Sequence, residues 1–330
     1  MKVLVLGASG FIGSHIAREL LKENFNVRVL IRKTSNIETI KGLNLEIYYG
    51  DLFDRDSITA ALKNCNFLIH SAGHYPKFSL KMREELEIAR IQIRNVLDAA
   101  LSSKIEKMIY TSSLSTLGKG EKRGSIINEN HPYNLQNVRS TYHRIKYTME
   151  KEVFEYTRKG LPAVVLNPTF CIGEYDFKPP EYCIISRIVN KQVPAYIQGE
   201  MNAVDVKDVA RGHVLALKQG RIGERYILGN KNMTTKEFLF LVSQLAGVKP
   251  PKIKIPYRIS LLAGYLSETV AFLLKKRPFI PLSGIYLNRF SSYMNSSKAI
   301  KELGFPQSPL EDAIKRAIKW YYHIGYIKPR

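Results

Sequence analysis

The chain has 330 residues, room for about two domains or one large α/β unit with an appendage. Hydrophobic residues make up 45% and charged residues 24%, which excludes a disordered tail or a low-complexity array. Fifty Lys and Arg against 29 Asp and Glu leave a net charge of +21, which attracts phosphates, an anionic membrane surface or nucleic acid and says nothing about fold. The three cysteines, Cys65, Cys171 and Cys183, form no CxxC or Cys/His spacing, so neither a disulfide framework nor a metal site is expected. That usage suits a reducing, cytoplasmic compartment. The start MKVLVLG is too short an apolar run for a signal peptide. No run of about 18 apolar residues occurs, so no transmembrane segment is expected.

In chain order, Lys2–Leu6 is a β-run and Phe11–Glu23 has helical periodicity through Ile12, Ile16 and Leu20. Further β-runs follow at Val27–Ile31, Leu45–Tyr49, Phe67–His70, Lys107–Ser112 and Ala163–Asn167, with helix-like segments at 54–63, 84–102 and 139–159. This alternation predicts an α/β fold, a doubly wound, Rossmann-like parallel sheet covered on both faces. The segment 84–102 is apolar on more than one side, through Leu86, Ala89, Ile93, Val96 and Leu97 with Ile88 and Ile91 beside them. One side suits the sheet; the other could meet a homodimer partner.

After Pro168 the βαβ rhythm fades. Short strands are expected at Ala203–Val206 and Arg225–Leu228, and helices at 207–218, 234–246 and 308–322. The expected division is a cofactor domain over 1–167, joined by parts of 200–230, and a smaller, interleaved C-terminal substrate region over 168–199 and 230–330. In 259–274, Ile259, Leu262, Leu266, Val270 and Leu273 recur on one helical face, followed by Lys275, Lys276 and Arg277. The simplest reading packs that face onto the second region. A lid over an apolar substrate and a peripheral membrane contact are the alternatives.

Gly7-Ala-Ser-Gly10-Phe-Ile-Gly13 links the first strand to the first helix. Gly7 suits the tight turn, Gly10 the close approach of a pyrophosphate, and Gly13 the close packing of helix on strand. The helix N-terminus then offers free N–H groups to phosphate. A carboxylate at the end of the second strand would bind an adenosine ribose and repel a 2′-phosphate. Arg32, Lys33, Thr34 and Ser35 stand there instead, which favours NADP(H) over NAD(H).

Tyr142 and Lys146 are four residues apart on one helical face. A nearby ammonium lowers a phenol's pKa, so the tyrosine could exchange a proton with an alcohol or carbonyl oxygen. The hydroxyl run Thr111-Ser112-Ser113 ends the preceding strand and could hold that oxygen. His70 and His74 flank the turn after the fourth strand, within conceivable reach of the site. Cys171 reads as wall rather than nucleophile. Asp208 reads as a helix cap. No nucleic-acid-binding pattern accompanies the basic excess.

With these residues in place, the chain resembles the extended short-chain dehydrogenase/reductase family, which includes the NAD(P)-dependent epimerase/dehydratases and the dihydroflavonol-4-reductase-like enzymes. The matching segments are 7–13, Gly50-Asp51-Leu52, His70-Ser71-Ala72-Gly73, Tyr110–Ser113, Tyr142-x-x-x-Lys146 and Asn167-Pro168-Thr169. Pro194–Tyr196, Val204–His213 and Gly223–Gly229 look most like the subgroup called hopanoid-associated sugar epimerases. The resemblance implies cofactor contacts from Gly7, Ser9, Gly10, Phe11, Ile12, Gly13, Arg32, Asp51, Leu52, Ser71, Ala72, Gly73, Tyr142, Lys146 and Pro168. It implies Ser113, Tyr142 and Lys146 as the catalytic residues.

One departure stands out. Family members carry an Asn and a Gly-Thr in the helix before the fifth strand, where this chain has Ala89 and Gln92-Ile93. The expected activity is reversible hydride transfer between nicotinamide and a carbonyl or alcohol, on an apolar or lipid-like small molecule. The alternatives are a sugar or nucleotide-sugar epimerase and, less favoured, a cofactor-binding module without catalysis. No Asp-Glu pair follows Ser113, which disfavours a dehydratase.

Overall fold

The structure, a computed structural model, describes residues 1–73, 79, 81–138, 140–274, 278 and 282–328. In chain order the elements are β1 (Lys2–Leu6), α1 (Phe11–Lys22), β2 (Asn26–Ile31), β3 (Glu46–Tyr49), α2 (Arg55–Leu62), β4 (Phe67–His70), α3 (Met82–Ser102), β5 (Lys107–Thr111), β6 (Ile126–Ile127), α4 (Thr141–Arg158) and β7 (Ala163–Pro168). There follow β8 (Phe170–Ile172), α5 (Ile184–Val189), β9 (Ala195–Ile197), β10 (Glu200–Asp205), α6 (Val206–Gln219), β11 (Arg225–Leu228), β12 (Lys231–Thr234), α7 (Thr235–Leu245), β13 (Ile253–Ile255), α8 (Tyr257–Leu273), α9 (Leu282–Leu287), β14 (Tyr293–Met294), α10 (Ser297–Leu303) and α11 (Leu310–His323).

Seven strands form one sheet in the order β11-β7-β5-β4-β1-β2-β3, every pair parallel. The strands are continuous apolar runs such as Val3-Leu4-Val5-Leu6, as expected for strands covered on both faces. One face packs against α1 and α6, through Ile16, Leu20, Val209 and Val214. The other packs against α2, α3 and α4, through Ile58, Ile93, Leu97, Ile145 and Met149. The second apolar side of α3 is therefore filled by α2 and α4 of the same chain, and Ile91 stays exposed. α10 packs on α6 and β11.

Beyond the main sheet lies a separate core. It joins Ile172, Ile185, Tyr196, Met233, Phe238, Leu239, Ile314 and Tyr321. Small sheets frame it: β12-β10-β8, β13-β9 and β14-β6. Of these, only β10 falls near a strand read from the sequence. Strands of two to four residues leave too little alternation to detect.

Three local readings change. Ala203–Val206 is not the strand; it runs Glu200–Asp205, and Val206 begins α6. Asp205 caps that helix, its carboxylate accepting from the Lys207 N–H at 2.9 Å. The cap is thus Asp205 and not Asp208. Asp208 instead accepts from the Ser308 N–H at 2.8 Å and the Ser308 hydroxyl at 2.7 Å, clamping the segment before α11. The third correction concerns 259–274. The apolar face of α8 points to water, with Ile259, Leu262, Leu266, Val270 and Leu273 all exposed.

Asp208→Ala leaves the Ser308 groups without their acceptor. It is expected to lower the unfolding free energy by about 1–3 kcal/mol in urea denaturation, with Asp208→Asn recovering part. Equal stability of Asp208→Ala and wild type would remove the clamp from the account.

Candidate active site

The cavity that matters opens at the carboxyl ends of β1, β2 and β4, where the sheet order reverses direction. Such a switch point leaves a crevice, because connections on either side run to opposite faces. It encloses about 700 Å³ and is lined by Gly7, Ser9, Gly10, Arg32, Asp51, Leu52, Ser71, Ala72 and Gly73, together with Leu6, Leu30, Ile31, Ser35, Gly50 and Gln92. Nine residues expected at a dinucleotide thus line one space.

The glycines make that space. Gly7 has φ +87°, a conformation that side chains resist. A Cβ on Gly13 would lie 2.0 Å from the Gly7 carbonyl oxygen, so only glycine lets α1 start against the turn. Gly10 is extended, and its N–H donates to the Gly7 carbonyl at 3.0 Å. Phe11, Ile12 and Gly13 do not line the cavity; they form the first turn of α1 and aim its N-terminus. Ser71 fixes the opposite wall, its N–H and hydroxyl both donating to the Leu6 carbonyl, at 2.9 and 3.0 Å.

A nucleotide fits this wall. The Gln92 side-chain oxygen is buried at the cavity and has no hydrogen-bond partner among the described residues. Buried polar atoms are rarely left so. Arg32 is exposed at the rim with Ser35 beside it. Asp51 is partly occupied by its own turn, accepting from the Phe53 N–H at 2.9 Å.

Ser113, Tyr142 and Lys146 sit further along the same sheet edge, beyond β5. The Tyr142 hydroxyl donates to Ser113 Oγ at 3.2 Å. Ser113 Oγ also accepts from the Ser115 N–H at 3.2 Å, which fixes the serine in a short turn. Lys146 Nζ donates to the carbonyls of Thr111 at 3.2 Å and Ser112 at 3.3 Å. Pro168 closes β7 opposite Leu228 and is buried.

A buried carboxylate missing from the sequence reading supports this turn. Glu150 lies four residues past Lys146 on α4. Its Oε2 accepts from the Ser112 hydroxyl at 2.5 Å, Thr116 Oγ1 at 2.7 Å and Asn167 Nδ2 at 2.8 Å. Its Oε1 pairs with Arg225 at 3.0 Å. An acid between the buried positions Met149 and Val153 is a readable signal for such a role. Lys178 was also missed. Its ammonium pairs with Asp176 at 3.0 Å and lies 5.2 Å from the centre of the Phe11 ring.

Electrostatics corrects one expectation. Burial raises the Tyr142 phenol above its ordinary value, although the Ser113 hydroxyl and the Lys178 ammonium pull it back. In the protein alone, desolvation outweighs the cations, so the phenol is held protonated rather than acidified. Burial pushes Lys146 down to about 7, opposed by Glu150. His70 is fully buried with its ring tilted against Tyr110, centres 5.6 Å apart, and burial pushes it down to about 3, which keeps it neutral. His74 lies outside the described residues. Burial takes Cys171 up to about 12, so its thiol stays protonated.

Comparison with known proteins adds the family context. The model of the NAD dependent epimerase/dehydratase family matches residues 3–229. A protein of Synechocystis sp. named "Putative dihydroflavonol 4-reductase" is 34% identical over 331 residues, covering 98% of this chain and 95% of that one. Sterol demethylase protein B of Methylococcus capsulatus is 27% identical over 333 residues, covering 99% and 100%. The crystal structure of gox2253 superimposes with a TM-score of 0.88 at 36% identity, covering 99% of both chains.

A pH effect follows from Lys146. Unfolded, it titrates near the ordinary lysine value of 10.5; folded, near 7. Between these values the unfolded chain binds more protons, so this group makes stability rise with pH from about 7 to 10. The unfolding free energy of cofactor-free wild type minus that of Lys146→Met should climb across this window. A flat difference would show that burial does not shift this lysine.

Proposed function

The chain belongs to the NAD dependent epimerase/dehydratase family, within the extended short-chain dehydrogenases/reductases, and on that premise we propose that it is a carbonyl reductase or alcohol dehydrogenase working through Ser113, Tyr142 and Lys146. The observation that carries this reading is the 3.2 Å hydrogen bond from the Tyr142 hydroxyl to Ser113 Oγ. Two hydroxyls at that separation can both bond one substrate oxygen. Ser113 orients it, and Tyr142, held protonated by burial, gives it a proton as it becomes an alkoxide. The bound nicotinamide supplies hydride exchange with the substrate carbon. Lys146, on the same face of α4, would hold the nicotinamide ribose and, as the ammonium, pass a proton back to the Tyr142 phenolate. Run backwards, the same groups oxidise an alcohol.

The proposed cofactor is NADP(H) in preference to NAD(H). Arg32 and Ser35 line the cavity just past the end of β2, where they would suit a 2′-phosphate, and no carboxylate stands at that strand end to bind the ribose hydroxyls. Gly7, Ser9, Gly10, Asp51, Leu52 and Ser71–Gly73 are the proposed dinucleotide contacts, with Gln92 supplying a polar atom that a bound nucleotide would satisfy. Phe11, Ile12, Gly13 and Pro168 position that wall.

The proposed substrate is a largely apolar small molecule. A second cavity of about 720 Å³ lies between the segment leading into α4, at Asn137 and Val138, and helices α8 and α9. Val138, Tyr265, Leu282, Tyr286 and Phe290 supply most of its wall. The full-length similarity to a protein named for sterol demethylation points the same way.

Two measurements test this. Nucleotide released by denaturing the purified protein is identified by mass spectrometry, and the emptied protein is titrated with NADPH and NADH. The expected outcome is an exchangeable site preferring NADPH, with the preference lost in Arg32→Ala. Near-stoichiometric NAD that survives dialysis would overturn net reduction in favour of an epimerase, which oxidises and re-reduces its substrate within one turnover. In a screen of ketones and aldehydes, Tyr142→Phe should lower kcat about a hundredfold or more in a protein that still binds nucleotide.

A further inference from the structure

Helix α8 is inside out. Its inner side carries small residues, Ser260, Gly264 and Ala271, all buried. A Cβ on Gly264 would sit 2.6 Å from Ile285 Cδ1 and 2.8 Å from Leu282 Cδ2, so the close contact with α9 depends on that glycine. The large apolar residues are outside. Ile259, Leu262, Leu266, Val270 and Leu273 form one stripe, each between 52% and 72% exposed. Isolated exposed leucines are ordinary, but a continuous stripe along a whole helix marks an interaction surface.

Charge identifies the partner. Lys249, Lys252, Lys254 and Arg258 stand exposed just ahead of the stripe. Lys275, Lys276 and Arg277 follow it in the sequence. The single carboxylate within the helix, Glu268, is engaged inward, its Oε1 accepting from the Leu282 N–H at 2.9 Å. An apolar face with exposed cations ahead of it, more basic residues next in the sequence and its one carboxylate turned inward complements an anionic, apolar-cored surface. The helix has 17 residues, and no helix of the described residues is long and apolar enough to cross a membrane.

We propose that α8 seats the protein on the surface of an anionic phospholipid bilayer. The helix lies in the plane of the interface, its stripe at the acyl boundary and Lys249, Lys252, Lys254 and Arg258 among the headgroup phosphates. The net charge of +21 draws the whole molecule to the same surface. The contact involves none of the proposed catalytic or cofactor residues.

The test is co-sedimentation of the full chain with vesicles of phosphatidylcholine and phosphatidylglycerol, against pure phosphatidylcholine, at low and high salt. Wild type should partition onto the anionic vesicles and weaken severalfold at high salt. The double variant L262D/L266D should lose about tenfold or more of that partitioning. Both positions are exposed, and unchanged NADPH titration will show that the variant is folded. Lys252→Gln with Lys254→Gln should weaken binding to anionic vesicles only. No partitioning by wild type, or equal partitioning by L262D/L266D, overturns the proposal. So does a wild-type dimer in analytical ultracentrifugation that L262D/L266D makes monomeric without any vesicle binding, since the stripe is then covered by a second copy.

Discussion

One buried carboxylate ties the site to the fold. Glu150 collects donors from the end of β5, the turn after it, β7 and β11, and it does so from α4, the helix that carries Tyr142 and Lys146. The charge is tolerable inside because each donor answers it; removing one partner of a buried pair costs about 3–5 kcal/mol. The carboxylate therefore fixes how α4 sits on the sheet. The 3.2 Å contact between Tyr142 and Ser113 depends on that seating, since the two residues come from separate elements. Arg225 and Asn167 belong to the same node, and Asn167 Nδ2 also donates to the Ser113 carbonyl at 3.1 Å. A change at Arg225 acts on the site by way of Glu150; a change at Asn167 acts on the Ser113 turn directly as well.

The other end of the site rests on sterics rather than charge. Gly13 and Gly7 let α1 begin almost in contact with β1, and Ser71 is bonded back to Leu6 across the gap between β1 and β4. The phosphate-facing turn is thus built from backbone held by its neighbours.

Much of this was legible in the sequence because the main sheet follows simple rules. Apolar runs of four to six residues, separated by helix-period segments, located all seven of its strands, and the glycine spacing located the turn. The tyrosine–lysine spacing located α4 within two residues at its start. Three kinds of feature were not legible. The short strands β6, β8 and β13 owe their existence to partners far along the chain and carry too few residues for a pattern. Glu150 and Lys178 act through contacts between elements, which periodicity does not encode. For α8 the apolar stripe was found but placed on the wrong side. A stripe normally faces the core because burying it is the main favourable term available. Here Gly264 and Ser260 allow a closer inner contact than leucine would, and the rule fails where the surface has another use.

Burial gives the active site its chemical character. It disfavours whichever form of a group is charged, so it moves acids and bases in opposite directions. His143 is pushed down to about 4 and His70 to about 3, while Cys171 goes up to about 12; all three are uncharged at neutral pH. The Tyr142 phenol moves up and stays protonated. Lys178 keeps its charge because Asp176 outweighs its desolvation. Lys146 is left with a pKa of about 7, where it can carry or release a proton at little cost. On the proposed reading this division suits reduction. A phenol kept neutral is a donor to a developing alkoxide, and the Lys146 ammonium can return a proton to the phenolate that is left. An anionic cofactor bound beside Lys146 would pull its pKa upward again and hold it as the ammonium, and that charge in turn favours ionisation of the phenol.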